Sequence, residues 1–317
     1  MLDVVHPALG STASRLLYAL APKSWPKLLV AALLGQAIGV VAAGRLDPLA
    51  AAIGFAFTLL ALGFVVLLDD WGDRDVDALE RRVDPERSPP KTIPDRILEG
   101  RSVWQLGVGL GAFALSAAVI AEVWVVRPGA SIGAALCLVL VAIHAVPPLQ
   151  LSHRGGGELV EMLGVGFALP WWNAYVQSGI SAPPELAFLP GFALFAFAIA
   201  LVAGLGDEYT DRLAHKITFT TLFGQPRVRM AAEGLLIGGM LVWAAMSKLA
   251  PHVASWWTTA PAVLVMSWFH RGVAKAGRAV DVEDPVGVAR YKAAMHRCVW
   301  WGAATLALTM LAHLWIE

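Results

Sequence analysis

Five aspartates fall within nine positions of the stretch LLDDWGDRDVDALERR, at Asp69, Asp70, Asp73, Asp75 and Asp77. A second stretch, GLGDEYTDRLAHK, places Asp207 and Asp211 four positions apart. On a helix, Asp69, Asp73 and Asp77 stand at i, i+4 and i+8 and share one stripe, with Asp70 beside it and Asp75 off it. Carboxylates crowded in this way repel at neutral pH unless something positive sits among them. Their oxygens suit hard divalent cations, above all Mg2+ bound jointly with substrate phosphates. Cations follow each group: Arg74, Arg81, Arg82, Arg87 and Lys91 the first, Arg212 and Lys216 the second. Carboxylates to hold metal, with Lys and Arg for the remaining phosphate charge, make a diphosphate site. A solvated acidic loop that only caps helices is the alternative for either group alone. Two such groups, each ending an apolar run on the same side and each followed by cations, favour the diphosphate site.

The elements that position these residues are apolar runs. The chain of 317 residues is 57% hydrophobic and only 15% charged, with a mean hydropathy of +0.63. A soluble enzyme carries roughly 25% charged residues, so the composition excludes an ordinary soluble enzyme and a disordered chain. The two cysteines, Cys137 and Cys298, lie in apolar runs and give neither a disulfide framework nor a metal spacing. Zero net charge gives no sign of a nucleic-acid partner. A spanning helix needs about 20 apolar residues. Such windows fall near 25–44, 48–68, 102–125, 129–148, 159–179, 185–205, 229–247, 253–269 and 298–315. The expectation is an all-α, multi-pass membrane protein of nine transmembrane helices forming a single domain over 1–317. Residues 1–24 are expected as an N-terminal interfacial segment, with 11–21 an amphipathic helix on the membrane surface. Residues 69–101 and 206–228 form the aspartate-bearing loops, and 271–297 read as a linker and surface helix that includes Asp281, Glu283 and Asp284.

Of the 24 Lys and Arg, 21 fall in the N-terminal segment and the loops after even-numbered windows; only Arg45, Arg127 and Lys248 fall on the other side. The positive-inside rule then makes the N-terminus and both aspartate loops cytoplasmic, with the C-terminus outside. Pro170 and Pro190 should break or bend their helices. The aromatic run WWNAY (171–175) suits either a tunnel wall or an interface anchor, and Trp256, Trp257, Trp300 and Trp301 suit an aromatic belt.

These residues resemble the UbiA superfamily of intramembrane aromatic prenyltransferases. DDWGDRDVD at 69–77 is similar to the family's NDxxDxxxD, and Asp207 with Asp211 matches its DxxxD, followed by Lys216, Thr218 and Gly224. PPLQLSHRGGGE (147–158) looks like the PPLxLSYRGxGE loop of the dihydroxynaphthoate branch, which makes menaquinone precursors. NAYVQSG (173–179) and PKSWP (22–26) resemble that branch's YYVQTG and RPKTLP. The resemblance implies a nine-helix bundle with a cytoplasm-facing central cavity, in a bacterial inner or plasma membrane. It implies two Mg2+ ions on the diphosphate of an isoprenoid donor, whose tail follows an apolar path open to lipid. Carried over residue by residue, Asp69, Asp70, Asp73, Asp77, Asp207 and Asp211 are metal ligands, directly or through water. Lys216 and Arg212, with Lys91 and Arg87, hold the leaving diphosphate, and Arg154 steers an anionic aromatic acceptor. The departures are Asp69 for the usual Asn, Ala21 for Arg, His144 and His153 for tyrosines, His215 for Gly, and TFTTLFG for TLAVRLG. The two histidines read either as satisfied structural residues or as acceptors for the proton lost on rearomatisation.

Three functions compete. The first is prenyl transfer to an aromatic acceptor, a dihydroxynaphthoate-like compound or a related quinone or aromatic acid. The second is a terpene cyclase of the same superfamily. The third is a transporter or non-catalytic membrane protein, against which the nearly charge-free spans argue. Arg154 also has a plain reading, an ion pair with Glu158 at i+4.

Overall fold

The computed structural model describes residues 10–83, 85, 90–279 and 284–313. Among them there is no strand; the extended pairing present is an isolated parallel bridge between Arg154 and Ile217. The chain opens with α1 (Thr12–Ala19), closed by a capping box in which Ser11 and Ser14 each accept the other's backbone N–H. Helix α1 does more than rest on a surface. Its last residue, Ala19, is buried with Leu67 and Val103 of the bundle, and Tyr18 donates to Pro90 O at 2.6 Å.

The bundle follows as α2 (Pro26–Ala43), α3 (Pro48–Gly72), α4 (Arg74–Val83), α5 (Gly100–Trp124) and α6 (Ala130–Ala145). Next, α7 (Gly157–Leu163) runs through a π-helical turn, Gly164–Ala168, into α8 (Leu169–Ser178). Then come α9 (Leu189–Ala203), α10 (Glu208–Leu213), α11 (Phe219–Phe223), α12 (Gln225–Leu249), α13 (Trp256–Ala279) and α14 (Pro285–His313). Pro170 and Pro190 each stand in the first turn of a helix, α8 and α9, where a missing N–H costs least. The π turn ahead of Pro170 is how the chain absorbs that break without leaving the helix.

Among the described residues, five helical stretches are long and apolar enough to cross a membrane: Pro26–Ala43, Pro48–Gly72, Gly100–Trp124, Pro184–Gly206 and Gln225–Leu249. The other four windows fall on α6, which is shorter, on the interrupted α7–α8 pair, and on α13 and α14, which carry charged turns. Residues 271–297 do not form the linker and surface helix expected. Helix α13 runs on to Ala279 and α14 starts at Pro285, because no proline stands between Pro261 and Pro285 to stop the helical ladder. Asp281 and Glu283 lie outside the described residues.

Small residues set the closest approach. A Cβ placed on Gly35 of α2 would sit 2.2 Å from Pro170 O, and one on Gly39 would sit 2.6 Å from Ala174 O. These glycines let α2 lie directly against α8, where packing rather than the hydrophobic effect holds membrane helices together. The polar groups between them are paired: Gln36 Nε2 donates to Asn173 Oδ1 at 2.9 Å, and Asn173 Nδ2 to Leu169 O at 3.1 Å. Trp172 of the WWNAY run is wholly buried in this packing rather than at an interface.

Candidate active site

The first acidic stripe keeps helical register across a bend. Helix α3 ends at Gly72 and α4 starts at Arg74, yet Asp73 N donates to Asp69 O and Asp77 N to Asp73 O, both at 2.8 Å. Asp69, Asp73 and Asp77 therefore stay on one face. That face, with Asp70, lines a cavity of about 730 Å3, bordered on its other sides by α1 and by Pro90, Lys91 and Thr92. Asp75 points away, with 90% of its side chain exposed.

Asp70, Asp73 and Asp77 each have a close partner. Thr92 Oγ1 donates to Asp70 Oδ2 at 2.6 Å. Lys91 Nζ stands 2.9 Å from Asp77 Oδ1 and 2.7 Å from Glu80 Oε2. Asp73 is held on both oxygens, by His153 Nε2 at 2.5 Å and by Lys216 Nζ at 2.9 Å. Burial works against the Asp73 carboxylate, but the hydrogen bonds and charges of His153 and Lys216 prevail and hold its pKa at about 2. Burial raises the Asp77 pKa in spite of Lys91. Burial also opposes the charge on Lys91 and Lys216, yet their carboxylate neighbours outweigh it, so both ammonium groups are more firmly protonated than usual.

The second acidic segment meets the first through Lys216. A 3-10 turn, Gly204–Gly206, delivers Asp207 to the start of α10, and Asp211 N donates to Asp207 O at 2.8 Å. Asp211 is 3% exposed; burial, aided by the charges of Asp207 and Asp73, pushes its pKa up to about 6 against the pull of Lys216. Behind Asp211, Lys216 N donates to Asp211 O and Ile217 N to His153 O, pinning this segment to the loop that carries Arg154. Gln150 Nε2 reaches Gly72 O at 2.9 Å, tying the same loop to the end of α3.

Two expected site residues stand differently, and a third lies outside the described residues. Arg212 turns to Glu208 at 2.9 Å, the i−4 carboxylate on its own helix, and is half exposed. Arg154 is exposed, and its main chain, not its side chain, makes the bridge to Ile217. Its plain reading does not hold, because Glu158 Oε1 instead accepts from Phe219 N at 2.8 Å. Arg87 lies outside the described residues. Thr92 and Tyr18 also line the cavity, from a loop and a helix with no acidic signature that would mark them in the sequence. Lys27 and Glu161, far apart in the chain, form an ion pair beside Asp69.

The donor set suits Mg2+: hard carboxylate oxygens along one wall, with lysines between them. Among the described residues no group of three or more His, Cys, Asp or Glu closes into a ready-made cage.

Residues 28–283 match the UbiA prenyltransferase family. The chain belongs to this family. Among solved structures, this UbiA-family protein is similar to a UbiA homolog from Archaeoglobus fulgidus bound to DMAPP and Mg2+, at 15% identity and a TM-score of 0.62, over 93% of this chain and 99% of that one. A UbiA homolog from Aeropyrum pernix K1 gives 15% identity and a TM-score of 0.65, over 90% and 96%. At such identities the likeness is one of fold. Among curated relatives, chlorophyll synthase of Arabidopsis thaliana is 25% identical over 55% of this chain and 44% of its own. That of Oryza sativa subsp. japonica is 24% identical over 68% and 56%. This UbiA-family chain thus spans about half the length of the curated relatives it matches. They are chlorophyll synthases, and none of these matches supports the menaquinone branch in particular.

Proposed function

We propose that this protein is a Mg2+-dependent prenyltransferase that moves an isoprenoid group from its diphosphate to an aromatic acceptor within the membrane. The observation that carries it is one cavity lined by Asp69, Asp70, Asp73, Asp77 and Lys91, whose Asp73 is held by Lys216 from the second acidic segment at 2.9 Å. Asp69, Asp70, Asp73, Asp77, Asp207 and Asp211 would hold two Mg2+ ions, which supply positive charge against the diphosphate. Lys216 and Lys91 bind the phosphate oxygens left over. The allylic C–O bond breaks with its electron pair going to the diphosphate, an acceptor ring carbon bonds to the allylic carbon, and that ring carbon then loses its proton. The lysines stabilise the charge that builds on the leaving group, and α1 with Tyr18 borders one side of the cavity.

Nine spans, with the acidic loops facing the cytoplasm of a bacterial inner or plasma membrane, are the topology supported by the charge asymmetry. The loop at 147–158 supports an acceptor of dihydroxynaphthoate type. The test incubates purified protein with Mg2+, a prenyl diphosphate panel and aromatic acids. Prenylated acid as the product supports transfer. Diphosphate release with a cyclic hydrocarbon and no acceptor overturns it in favour of the cyclase.

A further inference from the structure

Helix α13 keeps one face outward along its length. Trp257, Leu264 and Trp268 are 66%, 69% and 68% exposed. Arg271, Lys275 and Arg278, all exposed, continue the same stripe at helical spacing. The apolar part, from Trp257 to Trp268, rises roughly 16 Å along the helix, about half the depth of a hydrocarbon core. The basic part begins where it ends. There Arg271 Cζ stands 5.2 Å from the centre of the Trp268 ring, a cation–π contact that joins the two parts. Beyond it Ala274, with Arg271, Lys275 and Arg278, lines an open groove of about 430 Å3.

The three cations have no protein charge to answer them. Lys27, Lys91 and Lys216 are each held by a carboxylate, whereas none of these three is in an ion pair among the described residues. Helix α13 itself has no Asp or Glu. Of the helices packed on it, α14 has none and α12 has only Glu233, which accepts from Tyr291. A cation in the last turn suits any helix C-terminus, and this accounts for Arg278. It does not account for Arg271 and Lys275, which stand earlier. Like charges at i, i+4 and i+3 repel, so the stripe is strained until an anion lies among them.

We infer that this face binds an anionic phospholipid. Its phosphodiester lies in the groove of Arg271, Lys275 and Arg278, and an acyl chain runs along Trp268, Leu264 and Trp257. Arginine meets two phosphate oxygens at once, and lysine adds a point charge. The apolar continuation selects a lipid over free phosphate, which would use the groove alone. No carboxylate lines the groove to hold Mg2+, which makes a prenyl diphosphate the poorer fit. The site is independent of prenyl transfer, since none of its residues lines the carboxylate cavity.

The test is native mass spectrometry of the full chain in neutral detergent, titrated with phosphatidylglycerol and phosphatidylcholine of equal acyl length. The readout is the ratio of the two affinities for the first lipid bound. It should be on the order of a hundred in the unaltered protein, about fivefold for each cation. It should fall about twentyfold in Arg271→Gln/Lys275→Gln. Arg45→Gln/Lys248→Gln removes the same charge from exposed cations elsewhere and should leave the ratio unchanged. An equal fall in both double variants, or no preference in the unaltered protein, overturns the site. Circular dichroism checks that each variant is helical. If the first double variant does not fold, Lys275→Gln alone should lose about fivefold, and an unchanged ratio there overturns the site. Displacement of the bound lipid by equimolar inorganic phosphate, or by equimolar geranylgeranyl diphosphate, overturns the phospholipid as its occupant.

Discussion

Lys216 Nζ lies 2.9 Å from Asp73 Oδ2 and so joins two acidic segments that stand 143 positions apart in the chain. His153 Nε2 takes the other oxygen of the same carboxylate at 2.5 Å. Asp73 thus sits at the crossing point of α3, the 147–158 loop and the segment after α10. Of all the stripe carboxylates, its loss should be felt most widely.

Asp73→Asn and Asp211→Asn should each lower turnover about a hundredfold or more, since each removes charge the developing diphosphate depends on. EDTA should do the same to the unaltered protein, with recovery on adding Mg2+. Asp75→Asn should change turnover little, because that side chain faces outward. A product assay across the three variants checks this, and full activity in either stripe variant would sink the metal mechanism.

Asp211 predicts a pH dependence. Its folded-state pKa of about 6 lies above the ordinary value of 3.8, so the folded protein holds the extra proton below that pH. Metal and proton compete for the same oxygens. Mg2+ affinity, read by titration calorimetry, should weaken as pH falls from 7.5 through 6. The metal-free protein should move the other way: a raised carboxyl pKa costs stability above pH 6, and the cost is relieved as pH falls towards 4. Its Tm should therefore rise over that interval, with a shallower rise in Asp211→Asn.

Topology is open to a simple check. A reporter inserted near Gly155 should report the cytoplasm, and one fused after Glu317 the opposite side. The same side for both would mean that the number of spans after α6 is even rather than odd.

Arg154 is exposed and free of Glu158, on a glycine-rich turn beside the acidic segments. Arg154→Ala should raise the KM for an aromatic acid about tenfold or more, the loss expected for a hydrogen bond to a charged group. The KM for the prenyl donor should change far less. Equal effects on both would remove Arg154 from acceptor binding.

The chemistry was written in the sequence because it depends on residue type at short range. Asp69, Asp73 and Asp77 share a face by helical arithmetic alone, and Asp207 with Asp211 does likewise, so both halves of the site were legible. Their apolar surroundings were legible too, since hydropathy is a sum over neighbours in the chain. Only the tertiary structure decided which distant residues meet. It brought Lys216 and His153 to Asp73, Thr92 to Asp70, and α1 over the cavity, none of which any local spacing encodes. It also turned Arg212 away to Glu208, a choice between two carboxylate partners that sequence leaves open.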